Sequence, residues 1–539
     1  MSDPDHDTTP LGGDTSEADA APASSAPGSA PDSAPDSAQD SAHDSAPGSD
    51  LDPAAAPAAP VVASDGTIRS GKLAGRSMKA AIWMLAWPVL IQQTLQAFVG
   101  MADKLFAGRL PEAGRVAALD AIGIGSYIGW FIGIAMAGLG IGGQALIARA
   151  MGAGDRDQSH RALGQAMTLS LLWGVLVAVV LATAAAPMGR VTGLSEAAQQ
   201  DLVTYLRILA ISMPMAGVMM VGAMCLHGAG ETTRPSWIAI GVNVVNVVTS
   251  WLLSGVDVPI RIGEWQWTLM NPMSLDMGVA GIAGGTAIGY TFGALCTAIV
   301  LRRGVKDLKL ETRDLGFDRV MFTRIVRIGL PNFAEGISMW AVNLFVLVFI
   351  GIVATREAAG EGLQGAHIIA VQWEAFSFLP GYAIGIAAGT LAGQYLGAGS
   401  PELARRAIVL CVIAGAIFMS LLGVVFMTLG EPLTRIISSE PIHLETVPRL
   451  LFICGTMQVF FAITMVIRQG LRGVGDTKWC LIMTTTSSYL VRLPATWLLG
   501  VHFGLGLEGI WIGLCGEFFV RAMLFGGRFL HGGWSRVRV

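Results

Sequence analysis

Charge is scarce in this chain. Of 539 residues, Lys, Arg, Asp and Glu make up 14%, where soluble domains carry roughly 25%, and that excludes an ordinary water-exposed globule. Lys and Arg are missing altogether from residues 1–68, although 13 of the 39 acidic residues, Asp3 through Asp65, lie there. Setting that stretch aside leaves 35 basic against 26 acidic residues, a net of +9 concealed by the overall −4. Cysteine is sparse too. Cys225, Cys296, Cys411, Cys454, Cys480 and Cys515 stand singly in apolar runs, without zinc spacing or a disulfide framework. The eight His are scattered, so no clustered catalytic set is visible. The opening residues lack a basic region followed by an apolar run, the pattern of a secretory leader.

What remains is apolar: 53% of the chain, with a mean hydropathy of +0.58. Residues 1–64 are the exception. They are Ala, Pro, Ser and Asp, with the near-repeat PDSAPDSAQDSAHDSAPGSD at 31–50. Too little there can be buried to offset the ordering entropy, and a disordered acidic tail is expected. Gly66 to Lys72 imitates a phosphate-binding loop, but Leu73 replaces the Ser/Thr and no strand precedes it, so ATP chemistry is not expected.

A membrane-crossing helix needs about 20 mainly apolar residues, and twelve such stretches lie between residues 81 and 530. The fold expected is an all-α membrane protein of two six-helix lobes, 65–303 and 326–539, joined by a basic linker at 304–325. Arg69, Lys72, Arg76 and Lys79 precede the first span. The loop after the sixth holds Arg302, Arg303, Lys306, Lys309, Arg313, Arg319, Arg324 and Arg327. Basic residues mark cytoplasmic loops, which puts both termini in the cytoplasm of a multi-pass cell-membrane protein.

The two lobes repeat one another. Gly152-Ala153-Gly154-Asp155 matches Gly397-Ala398-Gly399-Ser400, and Gly228-Ala229-Gly230-Glu231 matches Gly473-Val474-Gly475-Asp476, both at an offset of 245. Pro88 and Gln92 match Pro331 and Glu335. Extra residues in the first copy fall in the external loop near 255–277. Six spans per copy is an even number, so the copies run the same way through the bilayer, the parallel-repeat plan of secondary transporters.

Several ordered segments carry a family resemblance. They are Trp87-Pro88-Val89 with Asp103 in GMADKLFAGRL, GGQALIARAMGAGD at 142–155, LHGAGETTRPSW at 226–237, and Asn243 with Asn246. Leu330-Pro331 with Glu335 follows, then AHIIAVQWEAFSFLPGYAIGIAAGTLAGQYLGAGSPE. The body, residues 76–530, resembles the multidrug and toxic compound extrusion (MATE) family. Its segment 329–404 is similar to the branch related to DNA-damage-inducible (DinF-like) proteins. The resemblance implies twelve helices in two lobes and export of organic, often cationic compounds in exchange for protons or sodium ions. It also implies a cation-linked role for Asp103. One departure matters: some members carry an aspartate four residues after the second asparagine, where this chain has Ser250.

A carboxylate within the bilayer is expensive and marks a candidate site. Ion coupling is therefore assigned to Glu374, Glu335 and Asp103, with weight toward the carboxyl-terminal lobe because of Ser250. Glu374 lies about 13 Å into its span at 1.5 Å per residue, among Trp373, Phe376 and Phe378. The expected cavity lining is Gln92, Trp373, Phe376, Asn246, Met339 and Trp340, since aromatic faces attract cations and Met repacks around varied guests. Glu517 and Arg521, four apart, can pair on one helix face. Arg492 has no local partner.

The expected function is a secondary antiporter exporting lipophilic, often cationic organic compounds by alternating access. No cofactor is needed beyond the coupling proton or sodium ion. The partners are small organic substrates and the bilayer, not nucleic acid, and the chain is expected to act as a monomer. One charge crossing 100 mV supplies about 2.3 kcal/mol. The rivals are a lipid-linked saccharide flippase, which calls for more intramembrane basic residues, and a membrane-embedded enzyme, which calls for clustered catalytic groups.

Overall fold

The computed structural model describes residues 75–539 except Gly193, residues 263–264, Ser274, residues 357–361 and Arg538. The acidic tail, the loop-like stretch at 66–72, and Arg69 and Lys72 lie outside the described residues.

The first lobe contains α1 (Met78–Ala107), α2 (Glu112–Ala153), α3 (Arg156–Val191), α4 (Glu196–Gly228), α5 (Thr233–Ser254) and α6 (Gly278–Arg303). The second contains α7 (Arg319–Arg356), α8 (Leu363–Gly397), α9 (Pro401–Thr428), the short α10 (Gly430–Ile437), α11 (Pro441–Thr456), α12 (Gln458–Gly473), α13 (Thr477–Ser487), α14 (Leu493–Thr496) and α15 (Gly506–His531). Among the described residues, nine helices are individually long and apolar enough to span a bilayer, and α11 with α12 form a tenth span bent by 56°. Helix α1 and the unbroken helical run 477–502 occupy the places of the remaining two of the twelve expected spans. That run includes π-helical turns at Ser488–Arg492 and Trp497–His502.

The repeated motifs turn out to be helix ends. Gly154, Gly230, Gly399 and Gly475 all have positive φ, between 74° and 88°, a conformation that suits glycine. Each motif thus stops one span and starts the next. Asp155 completes its turn by accepting a hydrogen bond from the Gln158 amide (2.9 Å), which caps α3. These turns lie on the face of the bundle where α1 begins and where Val539 sits, here termed the terminal face. On the opposite, far face the first lobe's extra loop forms a hairpin. In it β1 (Val258–Ile262) pairs antiparallel with β2 (Trp265–Leu269), Ile260 opposite Trp267. Strand β2 alternates Trp-Gln-Trp-Thr-Leu, the period of a strand with two unlike faces.

Small residues set how close the spans come. Gly281, Gly285, Gly289 and Gly293 recur every four residues along α6, and a methyl at any of them would press on α5 at Leu253, Ser250, Asn246 or Val242. This is the small-residue packing that replaces the hydrophobic drive inside a membrane.

The cores show how the lobes meet. On the far side each lobe has its own. One core is built from Phe106, Ile122, Leu202 and Ile282 of the first lobe, the other from Val346, Leu450 and Trp511 of the second. On the terminal side the cores are shared. Ala81, Ile82 and Leu85 of α1 pack with Ala388, Leu391 and Phe525 of the second lobe. Reciprocally, Met321, Ile325 and Ile328 of α7 pack with Ile141, Leu146 and Leu226 of the first. The lobes are thus joined along a terminal-side seam and keep separate cores toward the far face.

The seam follows the repeat's pseudo-symmetry. A methyl on Gly152 would strike the Gln394 carbonyl, and one on Gly397 would strike the Arg149 carbonyl. Positions 149 and 394, and 152 and 397, are repeat partners. Their side chains reciprocate: Arg149 Nη2 donates to the Val474 carbonyl (3.0 Å), and Gln394 Nε2 donates to the Gly228 carbonyl (3.1 Å). Thr390 Oγ1 adds a third bond, to the His227 carbonyl (2.9 Å).

Gly152→Ala and Gly397→Ala should each destabilise the closed seam by about 1–3 kcal/mol through overpacking. Spin labels on Asp157→Cys and Glu402→Cys, repeat-equivalent positions, would read this as a shift toward longer interlobe distances. An unchanged distance distribution would show that the seam tolerates the methyl.

Candidate functional site

The candidate residues fall into two groups, one per lobe. In the first lobe Asp103 sits near the far end of α1. It is 7% exposed, and its Oδ1 has no hydrogen-bond partner among the described residues. Beside it stands the Thr286 hydroxyl of α6, which accepts a hydrogen bond from Asn246 Nδ2 of α5 (2.9 Å). Tyr205 and Tyr290 lie within reach of its charge. Asn246 Oδ1 is likewise without a partner. The α6 glycine stripe produces this arrangement, because pressing α6 onto α5 brings Thr286 against Asn246. Ser250, one turn past Asn246, is fully buried beneath Gly285, and its hydroxyl donates to the Ile282 carbonyl (3.2 Å). No Lys or Arg pairs with Asp103 in the described structure.

Gln92 lies on α1 three turns before Asp103. Its Oε1 is buried without a partner. Between this position and the terminal face, Pro88 interrupts the helical bonding. A proline frees the carbonyl four residues earlier, here Met84, and Thr232 Oγ1 approaches that oxygen at 3.5 Å. Ser236 Oγ donates to the Pro88 carbonyl itself at 2.7 Å.

The second lobe is different in kind. Glu335, 1% exposed, accepts from Arg472 Nη2 (2.7 Å), Thr484 Oγ1 (2.8 Å) and, at longer range, Arg468 Nη1 (3.5 Å). Glu517, fully buried, accepts from Arg521 Nε (2.7 Å) and from Arg492 Nη2 (3.1 Å). The partner of Arg492 is thus supplied across helices, from the π turn at 488–492 to α15. Both guanidinium groups lie over the Phe518 ring, at 5.4 and 5.9 Å, and Arg521 Nη2 also donates to Ser488 Oγ (2.8 Å).

Glu374 stands apart from these clusters. Arg492 is the cation whose charge reaches it, and its carboxylate has no ion pair among the described residues. The neighbouring Trp373 and Phe376 rings are 5.6 Å apart. Met339 leans on the Glu517 cluster, its sulfur 3.3 Å from Ser488 Oγ. Trp340 meets Phe131 of α2 edge-on at 5.9 Å, a contact between lobes. The structure therefore joins Asp103 with Asn246, sets Trp373 and Phe376 beside Glu374, and encloses Glu335 among arginines. It does not gather the nine candidates into one site.

Four participants were not singled out from the sequence: Thr286, Thr484, Arg468 and Arg472. The two arginines are four apart in α12, which the sequence displays. Which acid they meet, some 130 residues away, it does not.

The chain matches the MatE family over residues 88–252 and 331–498. It is 27% identical to the probable multidrug resistance protein NorM of Thermotoga maritima over 453 residues, 84% of this chain and 92% of that protein. It is 25% identical to the multidrug resistance protein PmpM of Pseudomonas aeruginosa over 438 residues, covering 80% and 86%. The fold is similar to a crystal structure of MATE in the bent conformation, with a TM-score of 0.75 at 21% identity over 85% of this chain and 97% of that one. An outward-facing multidrug resistance MATE family transporter gives 0.74 at 22% identity, covering 85% and 95%. With both repeats matched in order on a two-lobed helical body, the chain belongs to the MATE family of membrane transporters and is not an enzyme.

Proposed function

We propose that this protein is a cation-coupled antiporter that exports lipophilic, often cationic organic compounds, with Asp103 as the residue that takes up the coupling ion. The observation that carries this reading is the contrast between Asp103 and the arginine-held acids. Glu335 and Glu517 are held by arginines, whereas Asp103 is buried with no cation and an unsatisfied oxygen. A buried carboxylate in that condition favours whatever neutralises it. A proton on Oδ1 does so, and so does the ammonium of a bound substrate. Two such occupants exclude one another, which is the requirement for exchange.

The proton is the favoured coupling ion. A sodium site calls for several converging oxygens, and here the position of a second acid is Ser250, whose hydroxyl is already engaged. Glu374, with its aromatic neighbours, serves as a cation-attracting position in the second lobe. The similarity to multidrug resistance proteins and the 329–404 segment support drug export and the DinF-like branch. The basic loops support a cytoplasmic terminal face, so the structure would correspond to a state closed to the cytoplasm. The buried arginines do not favour a flippase for phosphorylated lipids, because they are engaged by Glu335 and Glu517.

The test is transport in proteoliposomes with proton and sodium gradients imposed separately. A proton gradient should drive dye uptake, and Asp103→Asn should abolish at least 90% of that flux while leaving the protein folded. Full gradient-driven flux in Asp103→Asn would overturn the assignment, and flux driven by sodium alone would replace the proton. Glu335→Gln is expected to act differently. It strands Arg468 and Arg472 without their counter-charge, a loss of about 3–5 kcal/mol, seen as a lowered thermal unfolding midpoint that Asp103→Asn does not share.

A further inference from the structure

On the terminal face a cleft of about 420 Å³ opens between the first turns of α7, the turn joining α12 to α13, and the end of α15. The charges lining it are Arg324, Arg327, Lys478 and Arg528 against the carboxylates of Asp476 and of the last residue, Val539, a net of +2. Two of the four cations are already engaged. Arg528 pairs with Asp476 at 2.9 Å and stacks over Trp479 at 5.0 Å. Arg324 donates to the Val539 oxygen at 2.6 Å. Arg327 and Lys478 have no ion pair or side-chain hydrogen bond among the described residues, and both are exposed. Trp479 beside them is 45% exposed.

The position of the cleft adds to its chemistry. It lies where the spans end, at the level of the membrane surface, where Trp rings settle among headgroups. Basic pockets at that level bind anionic headgroups. The walls of the cleft belong to different packing units. The first turns of α7 are packed on the first lobe through Met321, Ile325 and Ile328. Val474, Cys480 and Phe529 belong to the core around the second lobe and α1. The cleft therefore straddles the seam, next to the Arg149–Val474 hydrogen bond.

We infer that this cleft binds the phosphate-bearing headgroup of an anionic phospholipid, with Arg327 and Lys478 as its phosphate contacts and Trp479 at the glycerol level. A headgroup held by both walls makes its full set of contacts only while the seam is closed. Such a ligand shifts the population toward the closed-seam state by its differential affinity. This assignment does not depend on which ion drives transport.

The test uses the full chain purified in neutral detergent. Thermal unfolding is followed with added phosphatidylglycerol, with phosphatidylcholine, and with millimolar inorganic phosphate or glycerol 3-phosphate. Phosphatidylglycerol should raise the midpoint by several degrees and the other additions should not. The double variant Arg327→Gln with Lys478→Gln should keep the lipid-free midpoint and lose most of the shift. Arg327→Lys with Lys478→Arg should retain it. As a second readout, native mass spectrometry should show at least one phosphatidylglycerol fewer on the double variant, whether or not its midpoint moves. An equal shift with phosphatidylcholine, or an undiminished shift and lipid count in the double variant, would overturn the proposal. So would an equal effect of free phosphate, which would make the cleft a soluble-anion site.

Discussion

The architecture depends on one close approach, that of α2 to α8 at Gly152 and Gly397. Carbonyls of one helix lie where any side chain on the other would stand, so the two backbones touch without intervening side chains. The repeat makes this contact reciprocal, with Arg149 and Gln394, partners under the 245-residue offset, each reaching across to the turn that ends a span in the other lobe. A seam made of backbone contact and three hydrogen bonds is compact and polar at its rim. Beside it the two shared cores carry α1 onto the second lobe and α7 onto the first, while each lobe keeps a private core toward the far face.

Against that symmetry the charges are asymmetric. Position 335 carries a glutamate where its repeat partner, position 92, carries glutamine. The second lobe then needs Arg468, Arg472 and Thr484 to hold Glu335, and Arg492 with Arg521 to hold Glu517. Buried ion pairs of this kind seldom add much net stability, but removing one partner is strongly destabilising. They fix the helices of the second lobe in one register, and the π turn that carries Arg492 is part of that arrangement. The first lobe has no such bracing at Asp103. Its polar groups there are neutral, and two of its oxygens are unsatisfied. Glu335 and Glu517 are thus neutralised within the second lobe, whereas Asp103 in the first lobe and Glu374 in the second have no ion pair among the described residues.

Much of this was legible in the chain. Twelve apolar stretches, the repeat and the basic loops gave two six-helix lobes, because hydrophobic length and loop charge are local properties. The repeated glycine motifs were visible as matches, but their meaning as left-handed helix ends requires the backbone. Asp103, Glu335 and Glu374 stood out as carboxylates in apolar runs. Their surroundings did not, since Glu335 finds its arginines more than 130 residues away and Asp103 meets Thr286 only because a glycine stripe draws α6 against α5. The hairpin at 258–269 had a period-2 signal in Trp265, Trp267 and Leu269, but a short alternation between long apolar runs is easily absorbed into a loop. The bend between α11 and α12 and the π turns near Arg492 leave no mark that periodicity reads.

Helix α1 connects the asymmetry to the seam. Its far half, with Asp103 and Phe106, packs within the first lobe, while its near half, from Ala81 to Ala86, packs on α8 of the second. Pro88 lies between the halves, at the point where the helical hydrogen-bond ladder is broken and side chains of α5 and the turn before it take over. A proline is where a helix bends most easily. Helix α7 has the same division around Pro331, but Glu335, one turn beyond that proline, is locked by two arginines. Of the two helices that cross between the lobes, α1 alone carries, beyond its proline, an acid with no ion pair among the described residues.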